Sequence, residues 1–188
     1  MLNRQSAIPG PSRFVGTRGA DDLIIEEGPI SQWTQLCVFA GGHSAVSSVW
    51  QDCFGYALPE SPSRFHAVGS SRVYRTAVDQ YWLRDFSAPQ IASLETVLSE
   101  ESAALIDLSD SRVTIRVAGR SARDVLSQWI TLDLHPSVFS VGTFAQTGIH
   151  HVGGMLERNG PDDYSFVALR TFALTVWEAL TDVAYPFA

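Results

Sequence analysis

Residues 131–147, TLDLHPSVFSVGTFAQT, place a carboxylate, an imidazole and a proline close together, and a phenylalanine, a glycine and a threonine follow. A carboxylate can orient an imidazole, so Asp133 and His135 could act as an acid–base pair. In the structural alternative, Asp133 accepts backbone N–H groups in an Asx-type turn, and the leucines beside it point inward. Pro136 would keep His135 out of the helical region, where the imidazole could satisfy a buried carbonyl. The pattern favours the structural alternative because no nucleophile is paired with these two residues.

Two other polar stretches have the residue types of a site. The stretch DLSDSR contains Asp107, Asp110 and Arg112, which we interpret as an Arg–Asp clamp on a turn between two strands. A serine hydrolase would need a nucleophile elbow, G-x-S-x-G, between a strand and a helix. The stretch GGHSAV has no glycine after its serine, so we expect His43 or Ser44 to cap a helix instead.

Metal and nucleotide motifs are missing from the sequence. His150 and His151 are adjacent on a predicted strand, where neighbouring side chains point to opposite faces. Neither H-x-x-x-H nor C-x-x-C spacing occurs, which argues against a metal site. The chain also lacks G-x-G-x-x-G and G-x-x-x-x-G-K, so dinucleotide or nucleoside triphosphate binding by those motifs is excluded.

The composition excludes further classes of function. The 188 residues carry a formal net charge of −7, whereas nucleic-acid binding needs a basic surface. All 13 basic residues are arginine, and this excludes lysine Schiff bases, lysine general bases and the phosphate-loop lysine. No long apolar run predicts a membrane span, and the N-terminal residues lack the apolar core of a signal peptide. With Cys37 and Cys53 expected as free thiols, we predict a cytoplasmic protein without nucleic-acid or membrane partners.

Apolar periodicity predicts an α+β fold of two similar lobes, each an antiparallel sheet backed by helices. The predicted order is β-α-β-β-α-β followed by β-α-β-β-β-α. We place an extended arm at residues 1–30, which includes RGADD, and a single two-lobed domain at residues 31–188. The predicted helix faces lie within residues 46–53, 91–98, 122–130 and 172–180, and two strands are predicted in residues 65–86. Ser87 with Gln90 and Ser121 with Asp124 have capping-box spacing, and Gly55 is placed to end the first helix.

The stretch from DLSDSR to GTFAQT, followed by YSFVALRTFALTVWEAL, resembles the gamma subunit of heterotetrameric sarcosine oxidase. The resemblance covers residues 105–180 in detail and residues 33–104 by layout, and it does not extend to the N-terminal arm. Its most specific part is the linked set D-L-H-P, F-x-x-G and threonine. The residues that we take as family-motif or interface candidates are Asp107, Ser109, Arg112, Asp133, His135, Pro136, Phe139, Gly142, Thr147 and Arg170.

This resemblance implies a fold like the folate-binding domain of the glycine-cleavage T-protein. It also implies that the alpha and beta subunits of such a complex carry NAD, FAD, covalently attached FMN and the tetrahydrofolate site, and that the delta subunit holds zinc. The gamma subunit would bind no cofactor itself and would pack against its larger partners. The implied reaction is oxidative demethylation of a secondary amine such as sarcosine, with transfer of the one-carbon unit to tetrahydrofolate.

Three hypotheses remain open from the sequence. In the first, the chain is a non-catalytic subunit of a flavin-dependent amine oxidase or dehydrogenase, and residues 1–30 and part of 131–147 lie against partner chains. In the second, it is a free-standing folate-binding module of the T-protein fold that assists one-carbon transfer, and Asp107 or Asp133 holds the pterin. In the third, it is a small hydrolase or isomerase that uses Asp133 and His135. The segment AVDQYW stands where a glycine–proline turn is expected, so the amine substrate stays open.

Overall fold

The computed structural model describes residues 5–16 and 22–187. The strands are, in chain order, β1 (Arg13–Val15), β2 (Ile24–Glu27), β3 (Trp33–Val38), β4 (His66–Val68), β5 (Ser71–Ala77), β6 (Gln80–Arg84), β7 (Ala103–Asp107), β8 (Arg112–Ala118), β9 (Phe144–Ile149), β10 (Val152–Gly160) and β11 (Asp163–Leu169). The helices are α1 (His43–Phe54), α2 (Ala88–Val97), α3 (Ala122–Leu126) and α4 (Ala173–Ala184). In the part of the chain that is described, no helix has the length and apolar character needed to cross a membrane.

The chain divides into two compact units. The first unit combines the described residues up to Ile30 with those from Ser111 onward, and the second unit is Ser31–Asp110. Each unit has its own sheet and its own hydrophobic core.

The second unit is a five-stranded antiparallel sheet backed by α1 and α2. The strand order is β4-β5-β6-β3-β7. Alternate residues of the strands face the helices, as the period of two requires. Leu36 on β3 and Leu83 on β6 therefore join Trp50 of α1 and Leu94 of α2 in one buried cluster.

The first unit is a six-stranded antiparallel sheet with α3 and α4. The strand order is β1-β2-β8-β11-β10-β9. Ile115 of β8 and Phe166 of β11 are buried with Val125 of α3 and Val176 of α4. This arrangement of sheets and helices confirms the predicted α+β fold class.

The segment that the sequence predicts as an arm supplies β1 and β2 to this sheet. Ile25 of β2 is buried in the core of the first unit. Glu27 accepts a hydrogen bond from the N–H of Ala7 at 3.0 Å, and Arg170 donates to the carbonyl of Gln5. The stretch RGADD lies outside the described residues except for Asp22.

The ends of two helices were predicted correctly. A capping box joins Ser87 and Gln90, and the N–H of Ser87 donates to the Gln90 side chain at 2.9 Å. Gly55 ends α1 with a φ of 78°, in the left-handed region that favours glycine. Both cysteines are free thiols, and both are partly buried.

Other helix predictions were wrong. The residue that caps α1 is Gly42, not His43 or Ser44, and a Cβ at Gly42 would meet the carbonyl oxygen of Ser102 at 2.4 Å. The Ser121–Asp124 capping box is not formed, because Ser121 has helical rather than extended backbone angles and its side chain makes no cap hydrogen bond.

Three further boundaries differ from the sequence prediction. α3 ends at Leu126, well before the predicted residue 130. Phe172 precedes α4 and is exposed instead of lying on its buried face. Residues 65–86 hold three strands, because the polar break at Gly69 is a tight hairpin turn between β4 and β5.

Candidate functional site

The loop between α3 and β9 contains most of the residues singled out by the sequence, and we call residues 130–143 the motif loop. Three of its apolar side chains point into the core of the first unit: Ile130, Leu134 and Phe139. Leu132 packs partly against the same core, as the sequence predicts. Burial of these side chains fixes the path of the loop without regular secondary structure.

Asp133 and His135 form a local turn. The carboxylate of Asp133 accepts a hydrogen bond from the backbone N–H of His135 at 2.8 Å, which is the predicted Asx-type turn. The His135 ring nitrogen Nδ1 lies 2.7 Å from the hydroxyl of Ser137. The carbonyl of His135 accepts the N–H groups of Val138 and Phe139, each at 2.9 Å. The imidazole therefore bonds Ser137 and not the expected buried carbonyl.

This geometry differs from the one that the acid–base hypothesis requires. In a catalytic pair the carboxylate contacts the imidazole itself and sets its tautomer. Here the carboxylate oxygen of Asp133 contacts a backbone N–H, and the Nδ1 atom of His135 contacts a serine hydroxyl. Both contacts join residues two positions apart, as is typical of loop construction.

The second half of the motif loop is held by Arg158, at the end of β10. The Arg158 guanidinium donates from Nη1 to the carbonyl of Phe139 at 2.6 Å. The backbone of Arg158 is also used, because its carbonyl accepts the N–H of Gly142 at 2.9 Å and its N–H donates to the carbonyl of Thr143 at 3.0 Å. Gly142 has a φ of 84°, which a residue with a side chain rarely adopts. The F-x-x-G spacing thus positions one buried ring and one left-handed turn around Arg158.

Arg158 is 4% exposed, and its guanidinium also reaches the turn after β10. Nε donates to the carbonyl of Gly160 at 3.2 Å, and Nη2 donates to the carbonyl of Pro161. The guanidinium lies 5.4 Å from the ring centre of Tyr164. One side chain therefore joins the motif loop to the β10–β11 hairpin.

Arg158 is the residue that the sequence prediction missed. The sequence RNGPDD was interpreted only as a turn, and its first residue as the end of a strand. A signal exists, since an arginine directly before Asn-Gly-Pro can satisfy the carbonyls of that turn. Its second role, at the carbonyl of Phe139, depends on a contact 19 residues away that no local pattern shows.

The outer side of the motif loop is exposed and combines polar residues with two valines. Val138 is 62% exposed and Val141 is 45% exposed, and His135 and Pro136 are also exposed. Buried contacts thus hold the loop from within, while its outward surface carries two valines.

The remaining candidates lie elsewhere in the first unit. Thr147 is partly buried on β9, the edge strand that follows the motif loop, and pairs in register with Gly154. Arg170 follows β11 and bonds the carbonyl of Gln5. Arg112 begins β8 and donates to the hydroxyl of Ser111 at 3.0 Å, and burial lowers the pKa of Arg112.

Asp107 and Ser109 belong to the second unit. The carboxylate of Asp107 accepts the N–H of Ser109 at 2.8 Å, and the hydroxyl of Ser109 accepts the N–H of Trp33 at 3.0 Å. These two residues therefore fix the end of β7 against the start of β3.

The two adjacent histidines are placed differently from the prediction. His150 lies in the turn between β9 and β10 with a φ of 54°, so the strand rule of opposite faces does not apply. Its ring centre is 3.9 Å from that of His151 and 4.7 Å from that of Trp129. Across the residues that are described, no three His, Cys, Asp or Glu side chains group as metal ligands would.

Comparisons with known proteins agree with this architecture. Residues 45–185 match the model of the family described as "Sarcosine oxidase, gamma subunit family", which extends the resemblance from residue 105 back to residue 45. The sarcosine oxidase subunit gamma of Corynebacterium sp. (strain U-96) is 24% identical over 149 residues, covering 78% of this chain and 71% of that protein.

Two solved structures share the fold. The heterotetrameric sarcosine oxidase of Corynebacterium sp. U-96, in complex with pyrrole 2-carboxylate, contains a chain that matches with a TM-score of 0.80 and 22% identity, covering 94% of this chain and 89% of that one. The glycine cleavage system aminomethyltransferase T of Bartonella henselae matches with a TM-score of 0.57 and 14% identity, covering 83% of this chain and 44% of that one. The second match confirms the T-protein-like fold. Since the family model spans most of its length, this chain belongs to the sarcosine oxidase gamma subunit family.

Proposed function

We propose that this chain is a non-catalytic gamma subunit of a heterotetrameric, flavin-dependent sarcosine oxidase or related secondary-amine oxidase. Its role is to support assembly of the large alpha and beta subunits. The observation that carries the proposal is the construction of the motif loop. The family-motif residues Asp133, Phe139 and Gly142 are used to build the loop, and the side chains that it presents outward include two apolar ones, Val138 and Val141.

Exposed valines on a loop held this firmly suit a docking surface. A residue that is buried only on association contributes by removing apolar area from water, roughly 1.5 kcal/mol for a valine. The loop is already ordered by Arg158, so association costs little conformational entropy at this site. We place the contact with the larger subunits here, and we extend it to residues 1–30, where Val15 and Ile30 are also exposed.

In this proposal the cofactors belong to the other subunits. FAD, covalent FMN, NAD and the tetrahydrofolate site are assigned to the alpha and beta subunits, and zinc to the delta subunit, as the family resemblance implies. The complex would act in the cytoplasm on a secondary amine such as sarcosine. The two-lobed domain that the larger chains contact would include β1 and β2 and would not begin at residue 31, because both strands belong to the sheet of the first unit.

Co-purification tests the proposal. The chain is tagged in its native cell and isolated gently, and the absorption spectrum and subunit sizes of the product are recorded. A yellow complex with larger flavin-bearing chains is expected, and its turnover of N-methyl amino acids then identifies the substrate. A colourless protein that is isolated alone would refute the proposal.

Substitution of the loop valines tests the location of the contact. Val138→Arg and Val141→Arg should each reduce recovery of the flavin-bearing chains about tenfold, because each loses roughly 1.5 kcal/mol of apolar burial. Val78→Arg is the matched control, since Val78 is 69% exposed on a turn of the second unit. Unchanged circular dichroism and urea midpoints confirm that the variants fold. If both loop variants recover the flavin-bearing chains as well as the wild-type chain does, the contact does not lie at the motif loop.

A further inference from the structure

The five-stranded sheet of the second unit ends at β7, which pairs only with β3 within that sheet. Proteins protect such edges with proline, lysine or arginine, bulges or very short strands. The first four residues of β7 are AALI, and its pairing with β3 runs without a register shift. The opposite edge, β4, has only three residues. β7 is therefore the unprotected edge strand of this sheet.

The backbone of β7 directs specific groups toward this open edge. In an antiparallel pair, successive residues turn their N–H and C=O groups alternately toward and away from the neighbouring strand. The N–H of Phe39 donates to the carbonyl of Ser102 at 2.8 Å, which fixes the even-numbered residues as those facing β3. The N–H of Ala103 consistently turns away, to the carbonyl of Ser99 at 3.1 Å. Leu105, at the centre of the strand, directs its N–H and C=O to the edge.

A groove runs beside this edge, between β7 and the end of α2. It is open to solvent, has a volume of about 430 Å³ and is lined by Phe39, Glu95, Leu98, Glu100 and residues 103–105. Phe39 is 42% exposed, although it is a large aromatic side chain. A groove between an edge strand and a helix is the geometry in which an extended peptide adds to a sheet and places side chains in pockets.

The charge of the groove specifies its occupant. Both ionisable residues in its lining, Glu95 and Glu100, are acidic and exposed. We propose that β7 accepts an extended segment of a partner subunit as a sixth strand. That segment places an apolar side chain against Phe39 and Leu98 and an arginine or lysine between the two glutamates. The inference rests on the proposed function, because the strand is supplied by a chain of the same complex.

Hydrogen exchange on the assembled complex tests the added strand. The amide of Ile106 bonds within the sheet and should exchange slowly in the complex and in the isolated full chain. The amide of Leu105 should exchange at least tenfold more slowly in the complex than in the isolated chain. An amide of Leu105 that exchanges equally fast in both overturns the proposal but leaves the proposed function intact. A chain that forms no complex at all overturns both.

Charge reversal tests the basic residue. Glu95→Arg combined with Glu100→Arg should raise the Kd for the flavin-bearing chains at least tenfold, and the salt sensitivity of binding should fall. Glu178→Arg, on the exposed face of α4, is the matched control and should leave the Kd within twofold. A double variant that binds as the wild-type chain does overturns the proposed basic contact, even if Leu105 is protected.

Discussion

Replacement of Arg158 should release the motif loop. Arg158→Met keeps the apolar stem of the side chain and removes the guanidinium, so the main loss is hydrogen bonding and not volume. The bonds to Gly160 and Pro161 lie in a partly exposed turn, where water can replace the guanidinium. The bond to the carbonyl of Phe139 is buried, and that carbonyl would be left without its donor.

The expected loss in the free energy of unfolding follows from the environments of these hydrogen bonds. A buried hydrogen bond from a charged donor is worth about 1.5–3 kcal/mol. The contact of the guanidinium with the ring of Tyr164 adds roughly 0.5–1 kcal/mol. We therefore expect Arg158→Met to lower the free energy of unfolding of the first unit by about 2–4 kcal/mol. Arg158→Lys should recover only part of this loss, because an ammonium lacks the planar fork that reaches three carbonyls.

Urea unfolding measures this loss. With a slope of about 2 kcal/mol per molar urea, a loss of 3 kcal/mol lowers the midpoint by roughly 1.5 M. Arg123→Met is the control, since Arg123 is exposed on α3 and pairs only loosely with Asp124 at 3.9 Å. Its effect should stay within about 0.5 kcal/mol. A loss below about 1 kcal/mol for Arg158→Met, or a loss equal to that of Arg123→Met, would refute the role assigned to Arg158.

Two further predictions concern the same unit. Gly142→Ala should cost about 1–2 kcal/mol in urea unfolding because of its positive φ, whereas Gly153→Ala, where an added Cβ meets nothing within 4 Å, should cost less than about 0.5 kcal/mol. Equal costs would contradict this account. Tyr164→Phe should raise stability at neutral pH by up to about 1–3 kcal/mol, because the buried hydroxyl has no hydrogen-bond partner among the described residues and its removal ends that desolvation cost.

The pH dependence of stability is a second test of the burial of Tyr164. Burial raises the pKa of Tyr164 above its ordinary value of 10.0. Folding therefore favours the neutral hydroxyl. Its contribution to the free energy of unfolding is fully present below about pH 10 and is lost as the pH rises through the pKa of Tyr164 in the folded state. Urea midpoints of wild-type protein should fall above about pH 10, and those of Tyr164→Phe should fall less. Identical alkaline profiles would contradict the assignment.

The fold was accessible from the sequence because its main signals are local. The apolar periods that predict α1 and α4 survive in the structure as Trp50 and Val176, both fully buried. The capping box of α2 and the glycine that ends α1 are also local chemistry. The predictions failed where a tertiary contact decides, as at Gly42, where the approach of the Ser102 carbonyl selects glycine over a capping side chain.

The candidate site was predicted only in part, for the same reason. The Asx turn at Asp133 joins residues two positions apart and could be inferred from the local sequence alone. The histidines at 150 and 151 were assigned to a strand because the nearest glycines, Gly148 and Gly153, lie within β9 and β10 and not in the turn, yet His150 adopts a positive φ. Arg158 was missed because its guanidinium acts across 19 residues.

The motif loop should behave as one cooperative element. Arg158 contacts the loop through Phe139, and its backbone carbonyl holds Gly142, so either substitution frees the same backbone. Changes at residues that share partners are not additive. We therefore expect Arg158→Met with Gly142→Ala to cost at least about 0.5 kcal/mol less than the sum of the single changes. Additive costs in urea unfolding would mean that the two halves of the loop are held independently. The proposed docking surface would then consist of two segments that are stabilised separately.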